Sequence, residues 1–138
     1  MNLKKKRLGI LAQKLNMGKN INFLGLLEDH DDVYAIIKSS KVFVLPSTIE
    51  GFGIVAIEAN TCGIPVITVN HKGNAARNLI EEGKNGFVCQ LNEEEIAKRI
   101  IRILLNSSSR GMEETFVELA KKYDWDKIVD EIEEAYLK

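Results

Sequence analysis

Hydrophobic and polar residues alternate along the chain in two kinds of pattern, one of which predicts strands and the other helices. Short apolar runs bounded by turn residues indicate buried strands, and apolar residues that recur every three or four positions indicate helices with one buried face. The runs predict strands at Ile21–Gly25, Lys41–Pro46, Pro65–Val69 and Gly86–Cys89, and helices at 3–15, Val33–Ser40, Ile54–Cys62, 75–82, 93–105, 112–122 and 126–137.

Strands that alternate with helices predict an α/β fold with a Rossmann-like parallel sheet and flanking helices. The run Pro65–Val69 is apolar throughout, which is typical of a strand buried on both faces of a parallel sheet. We expect it to lie parallel to Lys41–Pro46 in a sheet of about four strands. The helices in residues 112–138 are expected to close the domain, with Trp125 at their junction as a packing anchor rather than a sugar platform.

Composition narrows the class of protein. The 138 residues are 45% hydrophobic and 28% charged, which fits one ordinary globular domain. A formal net charge of −1 argues against nucleic acid or an anionic membrane surface as the partner. No apolar run suggests a transmembrane helix or a signal peptide. Cys62 and Cys89 match no metal or redox spacing, so we expect reduced thiols in a cytoplasmic protein.

The stretch Glu50–Glu58 joins the predicted strand Lys41–Pro46 to the predicted helix Ile54–Cys62. In open α/β sheets, ligands bind at the carboxyl ends of the strands, where such junctions lie. A helix N-terminus offers free N–H groups and a partial positive charge, which suit a phosphate. Gly51 and Gly53 allow a positive φ and let a ligand approach the backbone.

Glu50 and Glu58 bracket this turn, and carboxylates repel phosphate. An ionised carboxylate only accepts hydrogen bonds, so these side chains suit hydroxyl groups instead. A ligand with phosphates in its middle and hydroxyls at both ends would satisfy the whole stretch. A sugar nucleotide is such a ligand.

The segments Pro46-Ser47, Glu50–Gly53, Glu58-Ala59 and Gly63–Val66 together resemble the signature of family 4 retaining glycosyltransferases. The pattern is P-S-x2-E-G-F-G-x4-E-A-x3-G-x-P-V, and the chain matches every specified position. The resemblance implies the C-terminal, nucleotide-sugar-binding domain of a GT-B glycosyltransferase. Such an enzyme transfers a hexose from a nucleotide-sugar donor to an acceptor hydroxyl and needs no metal or cofactor.

The resemblance also implies roles for single residues. Glu50 would contact the donor sugar and is the catalytic candidate, and Glu58 would contact the ribose. Gly73, in the loop after Pro65–Val69, would supply a turn beside the donor. The remaining substrate-binding candidates, through their backbone around the turn, are Gly51, Phe52, Gly53, Ile54 and Val55.

By the same alignment, the chain is an incomplete C-terminal half of a GT-B enzyme, with residues 1–138 forming a single donor-binding domain. It would lack the domain's first two strands and the arginine and lysine that neutralise the diphosphate. The acceptor-binding N-terminal domain would lie upstream or on another chain. We therefore expect the isolated 138 residues to be inactive.

Two positions leave other interpretations open. Asn78 stands where the family usually has a glutamate after a Gly-Gly turn, which favours a non-catalytic remnant or a nucleotide-sugar-binding module without turnover. A nucleotide-sugar epimerase or a phosphorylase of similar two-domain shape is a third reading. Asp29-His30-Asp31 matches the letters of an Asp-x-Asp metal site, but acidic residues at a helix start fit capping better, so we predict no metal.

Overall fold

The computed structural model of the chain describes residues 3–105 and 113–137. The predicted loop 106–111 and the start of the predicted helix 112–122 lie outside them. The chain packs as two units, Met1–His30 and Asp31–Lys138.

The first unit contains the helix α1 (Leu3–Lys14) and a short 3₁₀ helix, Gly18–Asn20. Asn16 ends α1 with a φ of 55°, a left-handed conformation that asparagine tolerates. The predicted strand Ile21–Gly25 is wrong. Ile21 has an extended backbone, but no strand among the described residues pairs with this segment, and pairing with a neighbour is what makes an extended segment a strand.

The second unit alternates helices with short strands. Its elements in chain order are α2 (His30–Ser39, whose first residue belongs to the first unit), β1 (Phe43–Leu45), α3 (Ile54–Thr61), β2 (Val66–Val69), β3 (Gly86–Cys89), α4 (Glu93–Leu105), α5 (Glu113–Ala120) and α6 (Trp125–Tyr136).

The three strands form one parallel sheet in the order β1-β2-β3. Phe43 on β1 lies beside Val66 on β2, and Val66 lies beside Gly86 on β3. The predicted parallel pairing of the segments Lys41–Pro46 and Pro65–Val69 is therefore confirmed. The fold class, a parallel α/β sheet with flanking helices, is confirmed with it.

Strand β2 is buried along its whole length because helices cover both faces of the sheet. Val66 belongs to a cluster with Ile37 of α2 and Ala59 of α3 on one face. Ile67 and its neighbours belong to a second cluster on the other face. That second cluster contains Ile67, Val69 and Cys89 with Val42, Val44 and the α4 residues Ile96, Ile100 and Ile103. Helices therefore pack on both faces of the sheet and fix the strand ends from which the loops emerge.

Helix α3 ends at Thr61, one residue before the predicted end at Cys62, and Gly63 terminates it. This glycine has a φ of 77° and donates its N–H to the carbonyl oxygen of Asn60, while Ile64 donates to Ala59. These two hydrogen bonds form a Schellman motif, in which glycine avoids the penalty that a Cβ meets in the left-handed region. The motif turns the chain directly into β2.

A pair of buried amides, Asn60 and Asn85, ties the end of α3 to the start of β3. Each side chain is 3% exposed. Asn85 donates to Oδ1 of Asn60 at 3.0 Å and to the carbonyl oxygen of Leu79, while Asn60 donates to the carbonyl oxygens of Ile64 and Asn85. Every member of this network has partners, so removing one side chain leaves others unsatisfied.

We expect Asn60→Ala to lower the free energy of unfolding by about 2–3 kcal/mol, because one buried N–H of Asn85 loses its acceptor and the carbonyl oxygen of Ile64 loses its side-chain donor. Urea unfolding followed by circular dichroism would measure this. Asn78→Ala is the matched control, since Asn78 is exposed and should change stability by less than about 0.5 kcal/mol. Equal effects of the two substitutions would contradict the role assigned to the buried pair.

The C-terminal helices differ in how far they are buried. Phe116 of α5 is 3% exposed, and α5 packs on α3. Trp125, the first residue of α6, is 77% exposed, so its prediction as a packing anchor is wrong. The spacing of apolar residues tells which of them share a helix face, but not whether another element covers that face. In the part of the chain that the structure describes, no helix has the length and apolar character that crossing a bilayer requires.

Candidate active site

Two loops meet at the carboxyl edge of the sheet, one after β1 and one after β2. Glu50, in the first loop, donates its backbone N–H to the carbonyl oxygen of Gly73 in the second loop at 2.9 Å. Ala75 donates its N–H back to the carbonyl oxygen of Glu50 at 2.9 Å. These bonds form a parallel bridge between Glu50 and Asn74. The predicted site residues Glu50 and Gly73 are therefore held together by the backbone.

Asn74 anchors the second loop to the sheet. Its fully buried amide donates to Oγ1 of Thr68 at 2.9 Å and to the carbonyl oxygen of Val69 at 2.8 Å. Thr68 in turn donates its hydroxyl to the carbonyl oxygen of Leu45, at the end of β1. The ends of both strands are thus linked by side chains. Sequence reasoning missed this link because nothing in the local pattern marks Asn74 or Thr68 as partners.

Gly53 is the last residue before α3, with φ 96° and ψ 41°. A Cβ at this position would lie 2.5 Å from the Cβ of Ala76 and 2.9 Å from its Cα. No side chain caps the start of α3. The amides of Ile54 and Val55 have no intrahelical acceptor, so they are available to a ligand, whereas Ala56 donates its N–H to the carbonyl oxygen of Gly53 at 2.8 Å.

Gly73 is also required by close packing, since a Cβ there would lie 2.7 Å from the carbonyl oxygen of Thr48. Gly51 is different, because a Cβ would meet no atom within 4 Å. Only Gly53 and Gly73 among the predicted site glycines are therefore demanded by the fold.

The sequence predicts a helix over residues 75–82, and this prediction is wrong in type and length. Residues Ala75–Leu79 form a short 3₁₀ helix, and Ile80 is already extended. The buried side chain of Asn85 accepts the N–H of Glu81 at 2.8 Å, which removes that group from any helix. Asn78, the residue that departs from the family pattern, lies exposed on the 3₁₀ helix.

The side chain of Glu50 is half-buried, and within residues 3–105 and 113–137 its carboxylate forms no hydrogen bond or ion pair. Phe52 is 47% exposed, and its ring packs edge-to-face on Tyr123 with centroids 5.9 Å apart. Ile54 and Val55 expose their side chains in the first turn of α3. The turn thus presents one unpaired carboxylate together with free backbone amides.

Glu58 lies one turn further along α3, on the side that faces α2. The hydroxyl of Tyr34 on α2 donates to Oε1 of Glu58 at 3.1 Å. This hydrogen bond, and next the negative charge of Glu58, raise the pKa of Tyr34 above its ordinary value. A groove of about 360 Å³ runs beside the pair, lined by Tyr34, Lys38, Ile57, Glu58, Thr61 and Cys62.

Potential metal ligands are scattered over the described chain, which contains no cluster of three or more histidine, cysteine or acidic side chains able to hold an ion. Asp31 and Asp32 lie in the first turn of α2, where acidic side chains interact favourably with the helix dipole. Cys62 and Cys89 are free thiols, and burial raises the pKa of both.

Comparison with known proteins identifies the class. The family model described as "Glycosyl transferases group 1" matches residues 3–123. The chain therefore belongs to the group 1 glycosyltransferases, the coarser part of the resemblance stated above.

Individual relatives agree with this assignment. An uncharacterized glycosyltransferase of Methanocaldococcus jannaschii is 35% identical over 132 residues, which cover 91% of this chain and 32% of that protein. Among solved structures, sucrose-phosphate synthase from Thermosynechococcus elongatus matches with a TM-score of 0.84 and 27% identity, over 96% of this chain and 33% of that one.

A second structural neighbour, HepE of Anabaena in complex with UDP, matches with a TM-score of 0.82 and 26% identity, over 95% of this chain and 36% of that one. The α/β fold is thus that of GT-B glycosyltransferases. The chain spans about a third of the length of these relatives.

Proposed function

We propose that this chain is the donor-binding portion of a family 4 retaining glycosyltransferase, which moves a sugar from a nucleotide-sugar donor to an acceptor hydroxyl. One observation carries the proposal. The backbone bridge between Glu50 and Asn74 joins the Glu50–Gly53 turn to the loop after β2, directly before the uncapped start of α3. A half-buried carboxylate and a set of free amides then lie together at the carboxyl edge of the sheet. A sugar diphosphate needs the carboxylate for its sugar hydroxyls and the amides for its phosphates.

The amides would bind the diphosphate. Backbone N–H groups at a helix start point toward an anion, and the partial positive charge of the helix end favours it. In the transfer step, the leaving diphosphate gains negative charge, so the same groups would stabilise it most strongly then. The amides proposed for this task belong to Phe52, Gly53, Ile54 and Val55.

The two glutamates would hold the two hydroxyl-rich ends of the donor. Glu50 would accept hydrogen bonds from the donor sugar and keep its anomeric carbon facing the acceptor, with configuration retained. Glu58 would accept hydrogen bonds from the ribose. HepE, the neighbour from Anabaena, has been solved with UDP and with UDP and glucose, which supports UDP as the nucleotide to test first.

The acceptor would be supplied from outside this segment. We propose a partner N-terminal domain, upstream or on another chain, that binds the acceptor hydroxyl. The chain spans only about a third of the length of its relatives, and this supports a further domain in the complete enzyme. The 138 residues alone should then bind donor without transferring sugar. The location in the cytoplasm stays a prediction.

A titration with UDP followed by amide NMR tests the phosphate site. We expect the largest shifts at Gly53, Ile54 and Val55, since these groups would donate hydrogen bonds to the diphosphate. Uridine, which lacks phosphate, is the matched ligand and should leave these three amides nearly unchanged. Shifts confined to the basic segment Lys4–Arg7 would show that UDP binds only as a generic anion and would contradict the site.

A binding module without turnover is the second candidate, and the exposed Asn78 favours it. An amide there carries no charge where the family usually has a carboxylate. Both candidates would bind the donor, but only the first would take part in sugar transfer. Restoring the acid with Asn78→Glu in an assembly with an acceptor domain would separate them, because activity that appears only with the acid would indicate a lost catalytic function.

A further inference from the structure

Tyr34 has no role in the function proposed above, although its hydrogen bond to Glu58 joins two helices beside the site. Tyr34 lies on α2 and Glu58 on α3, 24 residues apart in sequence. Both side chains are half-buried. The helices themselves are held against one face of the sheet by a shared apolar cluster that includes Ile37 and Ala59. The geometry of the pair is therefore set by the core and not by the two side chains alone.

We propose that Tyr34 is a positioning residue, which orients the carboxylate of Glu58 so that its remaining acceptor sites face the ribose hydroxyls of the donor. This inference rests on the ribose-binding role proposed for Glu58. Tyr34 itself does not touch the ligand in this arrangement. It acts through Oε1 of Glu58, to which it donates at 3.1 Å.

The chemistry of a carboxylate allows both tasks at once. An ionised carboxylate has about four lone-pair directions on two oxygens, and the tyrosine hydroxyl occupies one of them. The other oxygen, Oε2, and part of Oε1 remain for two neighbouring hydroxyls of a ribose. A hydroxyl donates more strongly to a charged acceptor than to a neutral one, so the contact favours the rotamer of Glu58 that reaches Tyr34.

The contact matters because glutamate has a flexible side chain. A free glutamate on a helix surface samples several rotamers, and binding a ligand must select one of them at a cost in affinity. A rotamer already selected by Tyr34 removes most of that cost. Glu58 raises the pKa of Tyr34, so the hydroxyl keeps its proton and stays a donor throughout the neutral pH range.

The test combines a protein change with a ligand change. Tyr34→Phe removes the hydroxyl and keeps the ring, so the packing between α2 and α3 should persist. We expect UDP to bind this variant about 3- to 10-fold more weakly than the wild type, by isothermal titration calorimetry. The same substitution should not alter the affinity for 2′,3′-dideoxyuridine diphosphate, which offers Glu58 no hydroxyls. Tyr136→Phe, at an exposed position on α6, is the matched control and should bind both ligands as the wild type does.

A double substitution separates positioning from direct contact. With Glu58→Ala already present, adding Tyr34→Phe should weaken UDP binding no further. A further loss would show that Tyr34 touches the ligand itself and would overturn the proposal. So would an equal loss for UDP and the dideoxy ligand, which indicates a general structural role, or no loss at all.

The outcome for Glu58 alone distinguishes this inference from the proposed function. If Glu58→Ala weakens UDP binding and Tyr34→Phe does not, only the positioning role fails. If Glu58→Ala has no effect, or if the wild-type chain binds no UDP, the ribose-binding role fails and the positioning role with it.

Discussion

Glu58→Ala is expected to weaken the binding of UDP by about 10- to 100-fold. A hydrogen bond to a charged group contributes about 1.5–3 kcal/mol, and each 1.4 kcal/mol changes a dissociation constant tenfold. Because UDP and a UDP-sugar share the ribose, both ligands should lose affinity to a similar extent. Calorimetric titration of the two ligands measures the effect. Glu134→Ala, at an exposed acidic position on α6, is the matched control for loss of a carboxylate.

Glu50→Ala should behave differently in the same titrations. The carboxylate of Glu50 would contact only the donor sugar, so UDP should bind as it does to the wild type while a UDP-sugar binds more weakly. In an assembly with an acceptor-binding domain, the substitution should also lower turnover, because the reacting sugar is no longer held in place. Equal loss of UDP affinity in the Glu50 and Glu58 variants would refute this division of roles.

Gly53→Ala is expected to lower the free energy of unfolding by about 2–4 kcal/mol. Part of this comes from the left-handed backbone, where a Cβ costs about 1–2 kcal/mol, and the rest from overlap with Ala76. The observed φ of 96° and the 2.5 Å distance from a built Cβ to the Cβ of Ala76 are the reasons. Thermal or urea unfolding measures the loss. UDP binding should fall with it, since relief of the overlap must move the turn that carries the phosphate-binding amides.

Gly51→Ala is the matched control for that experiment. It lies two residues away in the same turn, yet a Cβ there meets no atom within 4 Å. Its effect on stability should be within about 0.5 kcal/mol. A Gly51 variant as unstable as the Gly53 variant would show that the turn needs flexibility in general rather than one left-handed residue.

The local parts of the fold and site could be predicted from the sequence. Helix α3, the glycine that terminates it and the strand β2 depend on residues close together in the chain, and the structure has all three. The Glu50–Glu58 stretch is equally local, so its place between a strand and a helix could be predicted. The family could be recognised for the same reason, because its signature lies within Pro46–Val66.

The predictions that failed depended on distant partners. Ile21–Gly25 has the apolar pattern of a strand, but hydrogen bonds to a neighbouring strand decide whether one forms. The predicted helix 75–82 does not extend to its expected end, because the side chain of Asn85 accepts the N–H of Glu81, and Asn85 lies beyond that segment in sequence. Trp125 has the chemistry of a core residue, yet its exposure depends on what packs over α6.

Residue order alone therefore determined the class of fold, the family and the run of candidate residues from Glu50 to Glu58. Tertiary structure decided which residues meet. Packing of α2 beside α3 brings Tyr34 to Glu58, and the bridge to Asn74 fixes the backbone of Glu50. Neither contact follows from a periodicity or a local propensity. Each arises because helices and loops remote in sequence must bury their apolar faces on the same small sheet, and that burial sets the polar contacts along its edge.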